Sequence, residues 1–303
     1  MTHDLFGTLD IPTVAHGGTL AREFGEAPFS TLDRRTARWR QRAAQWRALG
    51  IQSELGRVQS LIRTDSKLLS IPARAGGTSI FDPVVCEIAY RWYTRPGDLI
   101  LDPFAGGSVR GIVASTLGRP YVGIDLRAEQ TEANRLQAAD ICPAMPPVWI
   151  TGDADDIDAL IPDIDPVDLV FTCPPYHDLE VYSDDPADLS AMSWDDFLSV
   201  YRRIIRKCAD RLATDRFMVI VVGDVRDRQG IYRGLPWVTI HAMQEAGLRL
   251  YQDAVLLDPH GSMQLAAPRT FRASRKLTRL HQYMLVAVKG SPKRAAQRLG
   301  GVS

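Results

Sequence analysis

From Phe81 onward, short apolar runs alternate with segments of helical pattern, and this alternation limits the possible folds more than any other feature. Strands that alternate with helices form a parallel sheet covered by helices on both faces. We therefore predict an α/β fold with a doubly wound, mostly parallel, seven-stranded sheet. The predicted strands are residues 98–102, 121–125, 148–151, 167–172, 216–222, 248–257 and 283–288. No strong helical pattern separates the last two strands, so they could pair antiparallel at one edge.

Two helix starts carry clear capping signals. Asp82 is a predicted N-cap with Pro83 at the first helical position, and this helix runs to Thr94. Ser193, with Asp196 three residues later, predicts a capping box at the start of a long helix that ends near Leu212. Further helices are predicted near residues 108–117, 128–140, 156–161 and 237–246.

The chain before the alternation has a different character. Residues 1–32 show little periodicity and are predicted to be an extended arm or loop. A helix is predicted at residues 33–49, with Asp33 as its N-cap, and Trp39 and Trp46 share one face of it. Its arginines are Arg34, Arg35, Arg38, Arg40, Arg42 and Arg47. Either the arginines contact phosphate, or the tryptophans anchor a helix whose basic face is solvated; we favour the tryptophans as anchors.

The predicted domain organisation has three parts. Residues 1–77 form an N-terminal arm and a basic helical extension that ends in a flexible joint at Gly76 and Gly77. Residues 78–290 form the main domain, in which residues 259–280 are a basic insertion between the last two strands, and residues 291–303 form a tail.

Composition excludes several classes of protein. Thirty-six basic and 36 acidic residues give a formal net charge of zero, so any polyanion must bind through a local basic patch. No apolar run approaches the length of a membrane span. The four cysteines are far apart and form no metal-ligand pair, which predicts a reduced, cytoplasmic protein without a structural metal.

Residues 168–176 read as a buried strand that stops at two prolines and a tyrosine. Pro174 and Pro175 cannot donate backbone hydrogen bonds, so the sheet must end there. The prolines also stiffen the turn, which sets the directions of the Cys173 and Pro174 carbonyls. Rigid carbonyls beside the flat ring of Tyr176 suit the binding of a planar group that carries an exocyclic amine.

Three acidic residues, Asp102, Asp125 and Asp153, lie at the C-terminal ends of successive predicted strands. Ligands of open α/β sheets bind at this edge, near the point where the strand order reverses. Gly106 and Gly107 allow a ligand to approach the backbone closely. The spacing suits Asp125 as the acceptor of both hydroxyls of a ribose and Asp153 as the acceptor of an adenine amino group.

The glycine loop lacks the Gly-Lys-Ser/Thr of a phosphate-binding loop and the third glycine of a dinucleotide loop. The acidic Asp102 before the loop would repel a pyrophosphate and attract a cation. This sign favours S-adenosylmethionine, with its sulfonium and amino groups, over NAD.

Two motifs in this order resemble those of the amino-methylating DNA methyltransferases, which modify adenine N6 or cytosine N4. Residues 102–106, Asp-Pro-Phe-Ala-Gly, resemble the cofactor motif, and residues 172–176, Thr-Cys-Pro-Pro-Tyr, resemble the catalytic motif. Phe81 resembles the segment that packs on the methionine end of the cofactor. The resemblance covers about residues 78–290, and residues 28–46 and 179–186 are similar to methylases of phages and prophages.

The resemblance implies a Rossmann-like fold, S-adenosylmethionine as cofactor and double-stranded DNA with a flipped base as substrate. The implied catalytic residues are Cys173, Pro174, Pro175 and Tyr176. The implied cofactor-binding residues are Phe81, Asp102, Phe104, Gly106, Asp125 and Asp153. The basic insertion is predicted to clamp DNA phosphates through Arg269, Arg272, Arg275, Lys276 and Arg279.

This chain departs from the family pattern at two positions. Ser108 replaces the second glycine of the cofactor motif, and Cys173 replaces the usual Asp, Asn or Ser of the catalytic motif. A thiol is a poor acceptor, so the target amine would depend more on the following carbonyl. Three alternatives stay open: Cys173 as a nucleophile for ring-carbon methylation, an RNA or nucleotide substrate, and an inactive module that binds cofactor or DNA.

Overall fold

The computed structural model describes residues 20, 24–52, 81–164, 166–177, 185–261 and 263–300. These residues contain one eight-stranded sheet of strand order β1-β7-β8-β6-β5-β2-β3-β4. The strands are β1 (Thr31–Asp33), β2 (Ile100–Asp102), β3 (Tyr121–Asp125), β4 (Val148–Thr151), β5 (Val167–Thr172), β6 (Leu212–Val222), β7 (Arg249–Leu257) and β8 (His281–Lys289). β8 is antiparallel to both of its neighbours, and all other pairings are parallel.

Helices cover both faces of the sheet, as in a doubly wound fold. They are α1 (Ala37–Arg47), α2 (Pro83–Tyr93), α3 (Val109–Thr116), α4 (Ala128–Ile141), α5 (Ile157–Leu160), α6 (Trp194–Arg211), α7 (Leu235–Glu245), α8 (Met263–Ser274) and α9 (Pro292–Arg298). One apolar cluster lies between the sheet and α1, α2 and α3, and a second lies between the sheet and α5, α6 and α7. Within the described ranges, no helix is long and apolar enough to cross a membrane.

The predicted α/β fold and all seven predicted strands are confirmed, and β1 is an eighth strand that the sequence did not predict. β1 pairs with β7, so Thr31 and Leu32 are not part of a loop as expected, and Asp33 ends a strand where a helix start was predicted. The last two strands do pair antiparallel. They do not form the edge, because β8 lies between β6 and β7, and β1 covers β7. The domain boundary predicted at residues 77 and 78 lies outside the described residues and stays a prediction.

The two predicted helix caps are confirmed, whereas the N-cap of α1 is not Asp33. The Asp82 carboxylate accepts from Val84 N at 2.9 Å, and Ser193 Oγ accepts from Asp196 N at 3.2 Å. The side chain of Thr36 caps α1 instead. Asp33 closes β1, and its carboxylate binds the Arg35 side chain at 2.7 Å.

α1 is anchored by its two tryptophans, as predicted. Trp39 and Trp46 are 2% and 3% exposed. Their indole N–H groups donate to Asp82 at 2.9 Å and to Glu87 at 2.7 Å, both near the start of α2. The guanidinium groups of Arg34, Arg38 and Arg42 pair with Asp82, Glu26 and Glu87. Since these three charges face carboxylates of the protein, the phosphate-contacting interpretation of α1 loses most of its support.

Two further segments differ from the sequence predictions. Residues 259–280 are not a simple loop, because they contain the helix α8 with Pro268 inside it. The predicted tail contains α9, which Ser291 caps and Ala295, 1% exposed, anchors. α9 follows β8 at the edge of the sheet opposite to the C-terminal ends of the parallel strands.

Glu87 is a buried carboxylate at the junction of α1 and α2. Its side chain is 2% exposed and binds the side chains of Arg42, Trp46 and Arg91. Burial by itself would raise the pKa of Glu87, but hydrogen bonds and charges from Arg42 and Arg91 outweigh it and lower the pKa below its ordinary 4.5.

Replacing Glu87 by glutamine is expected to flatten the acid limb of the stability profile. A lowered pKa in the folded state stabilises the protein above the unfolded-state pKa, and this contribution is lost as the pH falls through the folded pKa. Urea unfolding at pH 7 and at about pH 3.5 measures the loss. The native protein should lose more unfolding free energy than the Glu87→Gln variant, and equal losses would contradict this assignment.

Candidate active site at the C-terminal edge of the sheet

The strand order reverses between β2 and β5, which lie side by side although two other strands separate them in the chain. In open α/β sheets, ligands bind at the carboxyl ends of strands at this point. The loops that follow β2, β3, β4 and β5 meet here around a cavity of about 350 Å³. This volume is within the range of small-ligand pockets.

The loop after β2 is held in place by backbone contacts. Gly106 has φ 52°, a left-handed conformation that favours glycine. Its N–H donates to Asp125 Oδ2 at 2.9 Å, and its carbonyl accepts from Asn134 Nδ2 at 2.7 Å. Asn134 is fully buried in α4. A polar residue at a buried position of this helix was a signal that sequence reasoning missed.

The serine that replaces the second glycine has a structural role. Ser108 is fully buried, and its hydroxyl donates to Gln137 Oε1 at 3.2 Å. The same Gln137 side chain binds both the N–H and the carbonyl of Gln52 at 2.8 Å. Ser108 therefore connects the loop through α4 to the N-terminal segment.

Asp102 is the one predicted cofactor residue that does not line the cavity. Its buried carboxylate accepts from Phe104 N, Arg110 Nε, Tyr121 Oη and Thr172 Oγ1 at 3.1, 2.5, 2.7 and 2.6 Å. The charge expected to attract a cationic ligand is therefore balanced by Arg110. Asp102 joins the ends of β2 and β5 and positions the loop between them.

The other predicted cofactor residues, Phe81, Phe104, Gly106, Asp125 and Asp153, all line the cavity. Each oxygen of the Asp125 carboxylate accepts one backbone N–H, from Gly106 and from Arg127. The Arg127 guanidinium also lies 4.0 Å from Asp125 Oδ1, at the wall of the cavity that both residues line. Burial is the main cause that raises the pKa of Asp153. The hydrogen bond from Asp155 N opposes this shift, and the nearby acids Asp155 and Asp156 add to it.

The predicted catalytic residues Cys173, Pro174, Pro175 and Tyr176 line the same cavity, directly after β5. The Tyr176 hydroxyl donates to Gln282 Oε1 at 3.1 Å and lies 3.7 Å from Cys173 Sγ. Two motifs that are far apart in the sequence thus meet at one cavity.

His177 turns the chain sharply after Tyr176. Its φ is 51°, which is uncommon for a residue other than glycine and costs of order 1 kcal/mol or more. The buried ring packs edge-on against Trp194 and Phe197, and Nε2 lies 3.0 Å from Met192 O. This packing holds the strained turn and with it the direction of Tyr176.

The polar residues of the cavity wall that sequence reasoning did not assign to the site include Arg34, Arg110 and Gln282. Arg34 bridges Asp82 and Asp258, which belong to segments far apart in the chain. No local pattern distinguishes Arg34 from its neighbouring arginines. For Arg110, an arginine within the otherwise buried helix α3 was an available signal.

The predicted DNA-binding residues lie on and after α8, beside the same edge. Arg269, Arg272 and Arg275 are exposed. The Lys276 side chain packs directly against Gly230. A Cβ atom placed on Gly230 would lie only 1.8 Å from Lys276 Nζ. Arg279 is half-buried, since it pairs with Asp224 at 3.8 Å and stacks over Tyr232 at 4.9 Å. Arg279 therefore shapes this surface more than it extends from it.

The acidic stretch after Tyr176 is only partly described, because residues 178–184 lie outside the described residues. Asp185 accepts from Ala187 N at 2.8 Å, and Asp188 accepts from Ser190 N at 2.9 Å. Both are thus turn and cap residues.

Comparisons with known proteins agree with the resemblance seen in the motifs. Residues 88–135, which contain the loop after β2, match the DNA methylase family of the N6/N4 class. A type II methyltransferase of Citrobacter freundii is 47% identical over 49 residues, 16% of this chain and 16% of the relative. A type II methyltransferase of Streptococcus pneumoniae is 48% identical over 42 residues, 14% of this chain and 16% of the relative.

A solved structure, TrmN from Thermus thermophilus, aligns with a TM-score of 0.46 and 17% identity over 69% of this chain and 49% of that one. The chain spans about a sixth of the length of the curated relatives that it matches. The predicted resemblance to amino-methylating DNA methyltransferases is confirmed for residues 88–135. The phage-type resemblance stays a prediction.

Proposed function

We propose that this chain, which carries the DNA methylase signature at residues 88–135, transfers a methyl group from S-adenosylmethionine to an exocyclic amino nitrogen of DNA. The target is adenine N6 or cytosine N4. The observation that carries the proposal is the shared cavity at the switch point of the sheet, with the glycine loop on one side and residues 173–176 on the other.

The cavity fits the proposed cofactor. Gly106 and Gly107 line it without side chains, and the acceptor capacity of Asp125 and Asp153 suits ribose hydroxyls and an adenine amino group. Phe81 and Phe104 add apolar surface. S-adenosylmethionine supplies an electrophilic methyl group on a sulfonium, which requires neither a metal nor a covalent intermediate with the protein.

The residues after β5 suit the methyl acceptor. A base must leave the duplex to enter such a cavity, and the Tyr176 ring would stack on it. The Cys173 and Pro174 carbonyls would accept hydrogen bonds from its amino group, which withdraws the nitrogen lone pair from ring conjugation. Because the transfer is direct, orientation by these residues would supply much of the rate enhancement.

The surface around α8 suits the phosphate backbone of double-stranded DNA. Arg269, Arg272 and Arg275 are exposed beside the end of the sheet where the cavity lies. The neighbouring turn adds Arg226 and Arg228, and the guanidinium of Arg226 stacks over Tyr232 at 3.6 Å. Cations interleaved with aromatic rings are typical of nucleic-acid contacts.

The double variant Arg272→Ala/Arg275→Ala is expected to flatten the salt dependence of DNA binding. Each phosphate contact contributes about one unit to the slope of log K against log salt concentration, so the slope should fall by about two. Binding titrations at several salt concentrations measure it. The matched control is Lys293→Ala/Arg298→Ala on α9, exposed at the opposite edge, which should keep the native slope. An unchanged slope in the α8 variant would locate the DNA elsewhere.

A labelled methyl-transfer assay tests the proposed activity and substrate class together. The protein is incubated with methyl-labelled S-adenosylmethionine and, separately, with double-stranded DNA, single-stranded DNA or RNA. We expect the label chiefly in double-stranded DNA. Preferential labelling of RNA would replace the proposed substrate, and cofactor binding without transfer to any nucleic acid would indicate an inactive module.

A further inference from the structure

Arg110 is a buried cation, since its side chain is only 6% exposed. It nevertheless belongs to the wall of the cavity. Its Nε donates to Asp102 Oδ2 at 2.5 Å, and Nη2 donates to the carbonyls of Phe104 and Ala105. Burial opposes its charge, but the Asp102 carboxylate outweighs burial and raises the pKa of Arg110. The guanidinium therefore stays charged and fixed.

One end of this guanidinium is not used by the protein. Among the described residues, Nη1 has no hydrogen-bond partner. It is also not fully enclosed, because it is absent from the set of buried polar atoms without a partner. Nη1 is therefore accessible, and it belongs to a residue that lines the cavity. The other three N–H groups of the guanidinium are occupied, so a ligand there meets only the two N–H groups of Nη1.

The ring of Phe81 fixes the position of this donor. The Arg110 guanidinium carbon lies 4.8 Å from the Phe81 centroid, and Phe171 packs edge-on against Phe81 at 5.9 Å. A guanidinium with a free Nη beside an aromatic wall suits a carboxylate, to which arginine forms strong charge-assisted hydrogen bonds.

We propose that Arg110 binds the α-carboxylate at the methionine end of the cofactor, a role that rests on the proposed function. Asp102 balances the charge of the guanidinium and holds Nε, so that Nη1 remains directed at the ligand. Arg110 thereby has two tasks: it holds the carbonyls of the loop, and it recognises the amino-acid part of the cofactor.

Two adenosine ligands separate these tasks. S-adenosylhomocysteine contains the carboxylate, whereas 5′-methylthioadenosine lacks the whole amino-acid part. Arg110→Lys keeps a cation opposite Asp102 but removes both Nη atoms, including the proposed carboxylate donor Nη1. Titration calorimetry should show S-adenosylhomocysteine binding weakened by about 10- to 100-fold, and methylthioadenosine binding unchanged within about twofold.

The control variant is Asp125→Ala, which should weaken both ligands to a similar degree because it removes the proposed ribose contact. Thermal unfolding confirms that each variant is folded. An equal loss for both ligands in Arg110→Lys, or no loss for either, would overturn the role of Arg110. Failure of the native protein to bind S-adenosylhomocysteine would instead contradict the proposed function.

Discussion

Replacing Tyr176 by alanine is expected to lower methyl transfer by at least about a hundredfold while cofactor affinity changes by no more than about twofold. Tyr176 lines the cavity, and its hydroxyl is held by Gln282 at 3.1 Å. Without the ring, the proposed flipped base would lose its stacking surface and its alignment. Since the proposed cofactor contacts lie on other loops, cofactor affinity should persist.

Pro175→Ala should have a similar effect, because it relaxes the turn that directs the neighbouring carbonyls. The matched control is Tyr176→Phe, which keeps the ring and removes the hydroxyl with its contacts to Gln282 and Cys173. Single-turnover transfer rates measure the chemical step, and titration with S-adenosylhomocysteine measures binding. Full activity in both Tyr176→Ala and Pro175→Ala would refute the catalytic pocket, and equal loss of cofactor binding would indicate a structural role.

The second large effect is expected on stability. Asp102→Ala should reduce the free energy of unfolding by about 3–5 kcal/mol, because it leaves a buried guanidinium without its counter-charge. Arg110 is 6% exposed in its side chain and Asp102 is 0% exposed. The Tyr121 and Thr172 hydroxyls would also lose their acceptor.

Urea unfolding of a double variant tests the cause. Asp102→Ala/Arg110→Met removes both charges, and it should recover part of the stability that Asp102→Ala loses, because an apolar side chain replaces an unpaired ion. A cost below about 1 kcal/mol for Asp102→Ala, or strictly additive losses in the double variant, would contradict the ion-pair account of the loop.

Local signals in the sequence predicted the fold well where a few neighbouring residues decide the structure. Caps at Asp82 and Ser193, and apolar runs such as residues 167–172, identified helices and strands that the structure contains. The strand ends then placed the glycine loop and the proline turn at one edge. Both motifs could therefore be assigned to a single site before its geometry was known.

Features that depend on distant partners could not be predicted. β1 has three residues and no periodicity of its own, and it forms only because β7 is available beside it. Arg34 reaches Asp258 across 224 positions, and Gln282 reaches Tyr176 across 106. Asp102 was expected to face the ligand, but its carboxylate binds the side chains of Arg110, Tyr121 and Thr172. These donors come from three other elements, so no local pattern could indicate them. A strand-end aspartate looks the same in the sequence whether it faces a ligand or a buried arginine.

The central claim is that the cavity joins a sulfonium methyl group to an exocyclic amino nitrogen of a DNA base. Nucleoside mass analysis of unmethylated duplex DNA, after incubation with the protein and labelled S-adenosylmethionine, tests this claim most directly. We expect the label in N6-methyladenine or N4-methylcytosine. Label in 5-methylcytosine would assign Cys173 a nucleophilic role and contradict the account, as would DNA that remains unlabelled although the protein binds S-adenosylhomocysteine.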